Sequence, residues 1–255
     1  MRRLVALALA FTGGTAALHA QQLTGAAKWA DSARTLIDAA VLTDAPAGLD
    51  SAVALLDRAL AATPNEYLLL HYKGYARYRQ GNASLGASNA TLARKQFEEA
   101  DTLLGTSAAQ HPLAESFALR SSIAGRLAGL DPSAPILHKT MAGRMQARAE
   151  ETGSSNPRVG LLRGQSVLFG PPDRTGGPAE AEKLLQRAHD LFATDSPAPP
   201  LPSWGRAETC AYLALARHRL GNDEGARAAA HEALSYAPGY RYVKNELLPM
   251  LGEKP

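Results

Sequence analysis

Side chains able to carry covalent or acid–base chemistry are few in this chain and widely spaced. Seven histidines stand at positions 19, 71, 111, 138, 189, 218 and 231, and none belongs to an H-E-x-x-H helix that would seat a catalytic zinc ion. Cys210 is the single cysteine, so neither a Cys-x-x-Cys ligand pair nor an intramolecular disulfide can form. With no histidine close to it in sequence, Cys210 is expected to be a packing thiol and not a nucleophile. His189-Asp190 is an isolated pair, the composition of a solvated helix face. No G-x-S-x-G elbow and no G-x-x-x-x-G-K phosphate loop occurs. Gly170-Pro171-Pro172 and Gly176-Gly177 lack the lysine such a loop needs. Free N–H groups at a helix start near Pro178 would face Glu180 and Glu182, which already suit that positive end. Asn82 and Asn89 stand in glycosylation sequons and are taken as ordinary polar loop residues. What remains is chemistry of recognition. His71, Tyr75 and Tyr78 recur at i, i+4 and i+7, one face of a helix, and each joins apolar area to a hydrogen-bonding tip.

The elements that would hold these residues are helices. Aromatics make up only 6% of the chain, and Val/Ile/Thr alternation of strand type is nearly absent, whereas Ala, Leu and Arg recur at helical spacing. The clearest unit runs from Arg206 to Tyr240: two helical patterns meet at Leu220-Gly221-Asn222, and the second ends at Ala237-Pro238. Ala214 lies seven residues before Gly221, and Ala226, Ala230 and Ala233 follow at i, i+4 and i+7. Small residues on facing sides let two antiparallel helices approach closely. Similar patterns place helices over 24–41 and 49–62, with a break at Asp44–Gly48, and a helix from Tyr67 with a turn at Gly81. A polar insertion at Asn82–Asn89 follows, and helical spacing resumes with Ala93, Phe97 and Ala100. Leu113–Ala128 and a weaker His138–Glu150 come next. Asn156-Pro157 is an N-cap followed by proline, and Pro178 opens another helix. Tyr240–Leu251 would close the chain as a cap. A non-repeating helical bundle is the competing architecture.

The 34-residue spacing of small residues, glycine turn and closing proline from Ala207 to Tyr240 resembles a tetratricopeptide (TPR) repeat. Ala40, Ala52, Leu56, Ala59 and Pro64 fit the same frame if a repeat begins at Ala33, and Gly74 and Gly81 fit the next one. The resemblance implies an all-α fold, a right-handed α-α solenoid of about five degenerate helical hairpins plus a C-terminal capping helix over residues 21–255. It further implies that positions 2, 5, 9 and 12 of each first helix line a concave groove. These are Leu68, His71, Tyr75 and Tyr78; then Ser116, Leu119, Ile123 and Arg126; then Arg158, Leu161, Gln165 and Leu168; then Glu208, Ala211, Leu215 and His218. His71 and Tyr75 stand where the carboxylate-clamp subtype carries Lys and Asn, so a C-terminal carboxylate ligand is not implied. Asn156-Pro157-Arg158, Gly164-Gln165, Gly176-Gly177-Pro178 and Trp204-Gly205 also resemble a pattern in exported bacterial TPR-like proteins of undefined function.

Residues 1–20 have the order of a secretory signal peptide: Met1-Arg2-Arg3, an apolar run from Leu4, then small residues with cleavage expected after Ala17 or Ala20. No later segment is apolar enough to span a membrane. Without Arg2 and Arg3 the 27 basic residues become 25 against 24 acidic ones, a balance that does not point to nucleic acid. The expectation is an exported (periplasmic or extracellular) non-catalytic scaffold that binds a protein or peptide and needs no cofactor or metal. The groove candidates are His71, Tyr75, Tyr78, Leu119, Arg126, Arg158, Gln165 and His218. The alternative is an envelope enzyme or small-molecule-binding protein on the same helices, for which a closed pocket of converging His, Asp or Glu would be the mark.

Overall fold

The computed structural model describes residues 25–170 and 176–253. The expected signal peptide, residues 1–20, and residues 171–175, which include Pro171-Pro172, lie outside the described residues. Five helical pairs follow one another: α1 (Gly25–Thr43) with α2 (Pro46–Ala62), α3 (Tyr67–Gly86) with α4 (Ala90–Gln110), α5 (Ala114–Leu130) with α6 (Pro135–Gly153), α7 (Pro157–Phe169) with α8 (Gly177–Phe192), and α9 (Arg206–Arg219) with α10 (Asp223–Tyr236). A π-helical turn, Val243–Leu247, runs into the short α11 (Leu248–Met250) and packs its Val243, Leu247 and Leu248 inward as the final cap. Among the described residues there is no strand, and no helix is long and apolar enough to cross a membrane.

The pairs close on small residues, as the spacing predicts. Ala214, Ala226, Ala230 and Ala233 are fully buried between α9 and α10. Gly221, at φ +79°, ends α9 with a Schellman turn: the Asn222 amide donates to the Arg217 carbonyl at 3.0 Å and the Gly221 amide to that of His218 at 2.9 Å. Asn222 then caps α10 by accepting from the Gly225 amide. Gly74 and Gly164 sit where helices nearly touch. A Cβ there would meet Leu104 Cγ or Leu185 Cγ at 2.7 Å.

Three local expectations are corrected. Pro46 does not break the chain but starts α2 in its first turn, where a missing N–H costs nothing. The Asn82–Asn89 stretch is not a free loop, since it carries α3 on to Gly86. Gly81 accordingly marks no turn: it lies inside α3 and makes room for the Phe97 ring, whose Cε1 would stand 2.6 Å from an added Cβ. The turn falls at Ser88, in the left-handed region, with Asn89 as the N-cap of α4. In α6 only Ala149 is buried, while Ile136 and Leu137 are exposed, consistent with the weak pattern there.

Candidate functional site

The inner positions of the first helices do face one another, but much of the space they enclose is filled. His71 Nδ1 on α3 lies 2.8 Å from Ser116 Oγ on α5, and Tyr78 Oη lies 3.0 Å from Ser122 Oγ on the same helix. Further along, Gln165 Nε2 on α7 donates to Tyr212 Oη on α9 at 2.9 Å. Side-chain hydrogen bonds thus tie successive first helices together across the interior, where an unpaired polar atom would be costly.

Into this space runs the segment between α8 and α9. Tyr72 Oη donates to the Pro200 carbonyl at 2.5 Å, and Arg34 Nη1 donates to Ser203 Oγ at 3.0 Å. Trp204 stacks on Tyr75, ring centroids 4.8 Å apart and 18° from parallel. Gly205, at φ +106°, comes so close to α7 that an added Cβ would meet Leu161 Cδ2 at 2.7 Å. Arg79 donates from Nη2 to both Tyr75 Oη (2.8 Å) and Glu208 Oε2 (2.7 Å). Arg158 holds the start of the segment through a two-pronged bond to Asp195, at 3.2 and 2.6 Å.

Most of the expected groove candidates are therefore interior groups. His71, Tyr75, Tyr78 and Leu119 are all buried, which corrects the expectation of an open aromatic face. Burial, with Arg158 nearby, lowers the His71 pKa to about 3, so the ring is neutral. Burial likewise raises the Tyr75 phenol well above its usual range. Arg158, also buried, is a structural ion-pair partner beneath the Phe192 ring. His218 is partly exposed but is turned to Asp223 Oδ1 at 2.6 Å, in the α9–α10 turn. Arg126, and Gln165 although largely buried, are the candidates that line the groove at the far end of these helices.

That groove, at the C-terminal ends of the first helices, is made of three adjoining hollows. The largest, of about 680 Å³, lies among α5, α6 and α7 and is lined by Ser122, Arg126, Lys139, Gln165, Ser166 and Phe169, among others. The next, of about 340 Å³, shares Arg126, Gln165 and Phe169 with it and adds Arg79, Asn82 and Tyr212. The third, of about 490 Å³, shares Arg79, Asn82, Phe169 and Tyr212 and reaches Val41, Tyr242 and Glu246. The Phe169 ring stands half-exposed at the junction, edge-on to Tyr212 with the Arg219 guanidinium over it. Arg126 and Lys139 have no hydrogen-bond or ion-pair partner among the described residues, and no carboxylate lines the largest hollow. Lys139, Ser166, Phe169 and Tyr212 were not among the sequence candidates. They lie outside the inner-face positions that the repeat frame singles out.

Of the three carboxylates that line the third hollow, Asp44, Glu208 and Glu246, Glu208 is paired with Arg79. Cys210 is buried away from the groove, and burial pushes its thiol up to about 12, so it is protonated at neutral pH.

Five stacked helical hairpins with a helical cap and an inner face built from first helices define a TPR-like helical-repeat protein. Solved structures bear out this fold. The HusA haemophore from Porphyromonas gingivalis is similar over 75% of this chain and 94% of its own, with 24% identity and a TM-score of 0.60. TTC0263, a thermophilic TPR protein of Thermus thermophilus, is similar over 87% of this chain and all of its own, with 19% identity and a TM-score of 0.56. No protein-family model and no curated protein matches the sequence.

Proposed function

We propose that the chain is an exported, non-catalytic binding protein that takes a segment of a protein or peptide partner into the groove at the C-terminal ends of its first helices. The observation that carries this reading is the run of three adjoining hollows, lined from α3, α5, α7 and α9 and closed by no segment of the described chain. Arg126 and Lys139 flank its largest part uncommitted, and Phe169 offers an exposed ring, so a partner segment with an acidic and an aromatic or aliphatic side chain suits it. The inner-face position of Arg126 and Gln165 is where the TPR resemblance puts ligand contacts. Export rests on the basic, apolar and small-residue order of residues 1–20. N-terminal sequencing of the protein from its source cell should begin at Leu18 or Gln21, and an intact Met1 would remove that part of the reading.

A second reading has one specific observation in its favour. The largest hollow is of a size that encloses a small ligand, and the structurally similar HusA protein is a haemophore. A planar ligand with two anionic groups would lie against Phe169 and meet Arg126 and Lys139. Fluorescence titration of an acidic peptide library, run beside an absorbance titration with haem, separates the two. The reading predicts saturable peptide binding that an Arg126→Glu, Lys139→Glu double variant weakens about tenfold, the loss of two partly screened contacts of roughly 0.7 kcal/mol each. Saturable haem binding with no peptide binding would favour the second reading.

A further inference from the structure

We propose that His189, Cys210 and Glu232 form a divalent-metal site, suited to zinc, at the joint between the fourth and fifth helical pairs. The three residues come from three helices, α8, α9 and α10, and their ligand atoms all lie within 4.8 Å of one another. Their separations in sequence, 21 and 22 residues, match no compact ligand motif, so only the stacking of the helices brings them together.

The surroundings are those a metal-binding histidine needs. His189 Nε2 faces Glu232 Oε1 at 2.8 Å, while its other nitrogen, Nδ1, lies 3.3 Å from Asp190 Oδ1. Gln186 Nε2 donates to the same Asp190 oxygen at 2.8 Å, and also stands 3.4 Å from Nδ1. In the metal-free chain Nε2–H donates to Glu232, and the Asp190 carboxylate holds the proton on Nδ1, so an ion would take the place of the Nε2 proton, which passes to solvent, on a ring whose other nitrogen is already oriented. Tyr236 Oη donates to Glu232 Oε1 at 3.2 Å and holds the second carboxylate in place.

Access and chemistry agree with this. The Cys210 sulfur forms a closed floor, whereas the side chains of His189 and Glu232 are 26% and 37% exposed, so an ion can arrive from their side. One thiolate, one imidazole and one carboxylate make a borderline-soft donor set, and three protein ligands leave a fourth position for water. Tetrahedral zinc would put its ligand atoms roughly 3.4–3.7 Å apart. His189 and Glu232 would separate slightly on binding and Cys210 would close in. As the sulfur–metal bond forms, the thiol proton passes to solvent, so uptake releases acid.

The test uses untagged, metal-free protein, dialysed against zinc chloride alone and, separately, titrated with cobalt(II). The proposal predicts a single zinc ion per chain and a thiolate-to-cobalt charge-transfer band. That band should vanish in Cys210→Ser, and zinc affinity should fall roughly tenfold or more in Glu232→Gln, a partly exposed position whose helical circular dichroism should match the parent. Asp190→Asn should weaken zinc affinity while keeping the charge-transfer band, as befits a positioning residue. Absence of stoichiometric zinc uptake, a cobalt spectrum without the thiolate band, or unchanged zinc affinity in Glu232→Gln would each overturn the proposal.

Discussion

Asp38 sits where α1 meets the Ser203–Glu208 segment, beside Trp204 and Tyr75, and its Oδ1 is buried without a hydrogen-bond partner. Burial lifts its pKa to about 7, against the lowering pull of Arg34. The unfolded chain releases this proton near pH 4, the folded chain only near pH 7. Between those values the folded state binds more protons. The group's contribution to stability therefore falls as pH rises from about 4 to about 7 and stays low above that. Asp38→Asn removes the titration, so its melting temperature relative to the parent should be higher at about pH 8 than at about pH 5; a pH-independent difference would contradict this. Single residues also show where sequence reasoning stops. The i, i+4, i+7 spacing of His71, Tyr75 and Tyr78 correctly puts them on one face of α3, and that face does point inward. What the spacing cannot carry is the partner of that face: Trp204, Pro200 and Glu208 lie about 130 residues further along the chain. Arg126 and Gln165 remain at the groove because no such segment covers them among the described residues.

At the scale of helices, local chemistry was legible wherever a small residue, a cap or a proline acts on its own neighbours. Ala214 and the Ala226/Ala230/Ala233 row, Gly221, Asn222 and Asn156-Pro157 all do as their types suggest. Gly81 does not, because a glycine that admits a ring from another helix has the same letter as one that ends a helix. The close approach at Gly164 gives a direct check. Gly164→Ala would press a methyl against the fully buried Leu185 and should lower the unfolding free energy by about 1–3 kcal/mol, even though alanine is the better helix former. Denaturant unfolding that shows a gain in stability instead would mean that α7 and α8 can part without cost.

For the whole molecule, the feature that matters most is closure of the array on itself. Arg79 and Glu208, each with a side chain no more than 10% exposed, join the second helical pair to the fifth. Removing one member of such a pair strands the other charge: Glu208→Ala should cost about 3–5 kcal/mol, while Arg79→Met with Glu208→Leu should recover much of it. Equal loss in the single and double variants, measured by denaturant unfolding, would mean that packing and not the ion pair closes the fold. This closure fills the middle of the concave side and leaves the C-terminal ends of α3, α5 and α7 as the open groove. The most direct measurement of the proposed binding role is site-specific photo-crosslinking in the source cell. One crosslinker replaces Ser166, in the largest hollow, and a control replaces the exposed Lys95 on α4. The account predicts a discrete protein or peptide adduct from position 166, absent from position 95 and diminished by Arg126→Glu with Lys139→Glu. Adducts from position 95 alone, or an adduct at 166 indifferent to those charges, would contradict it.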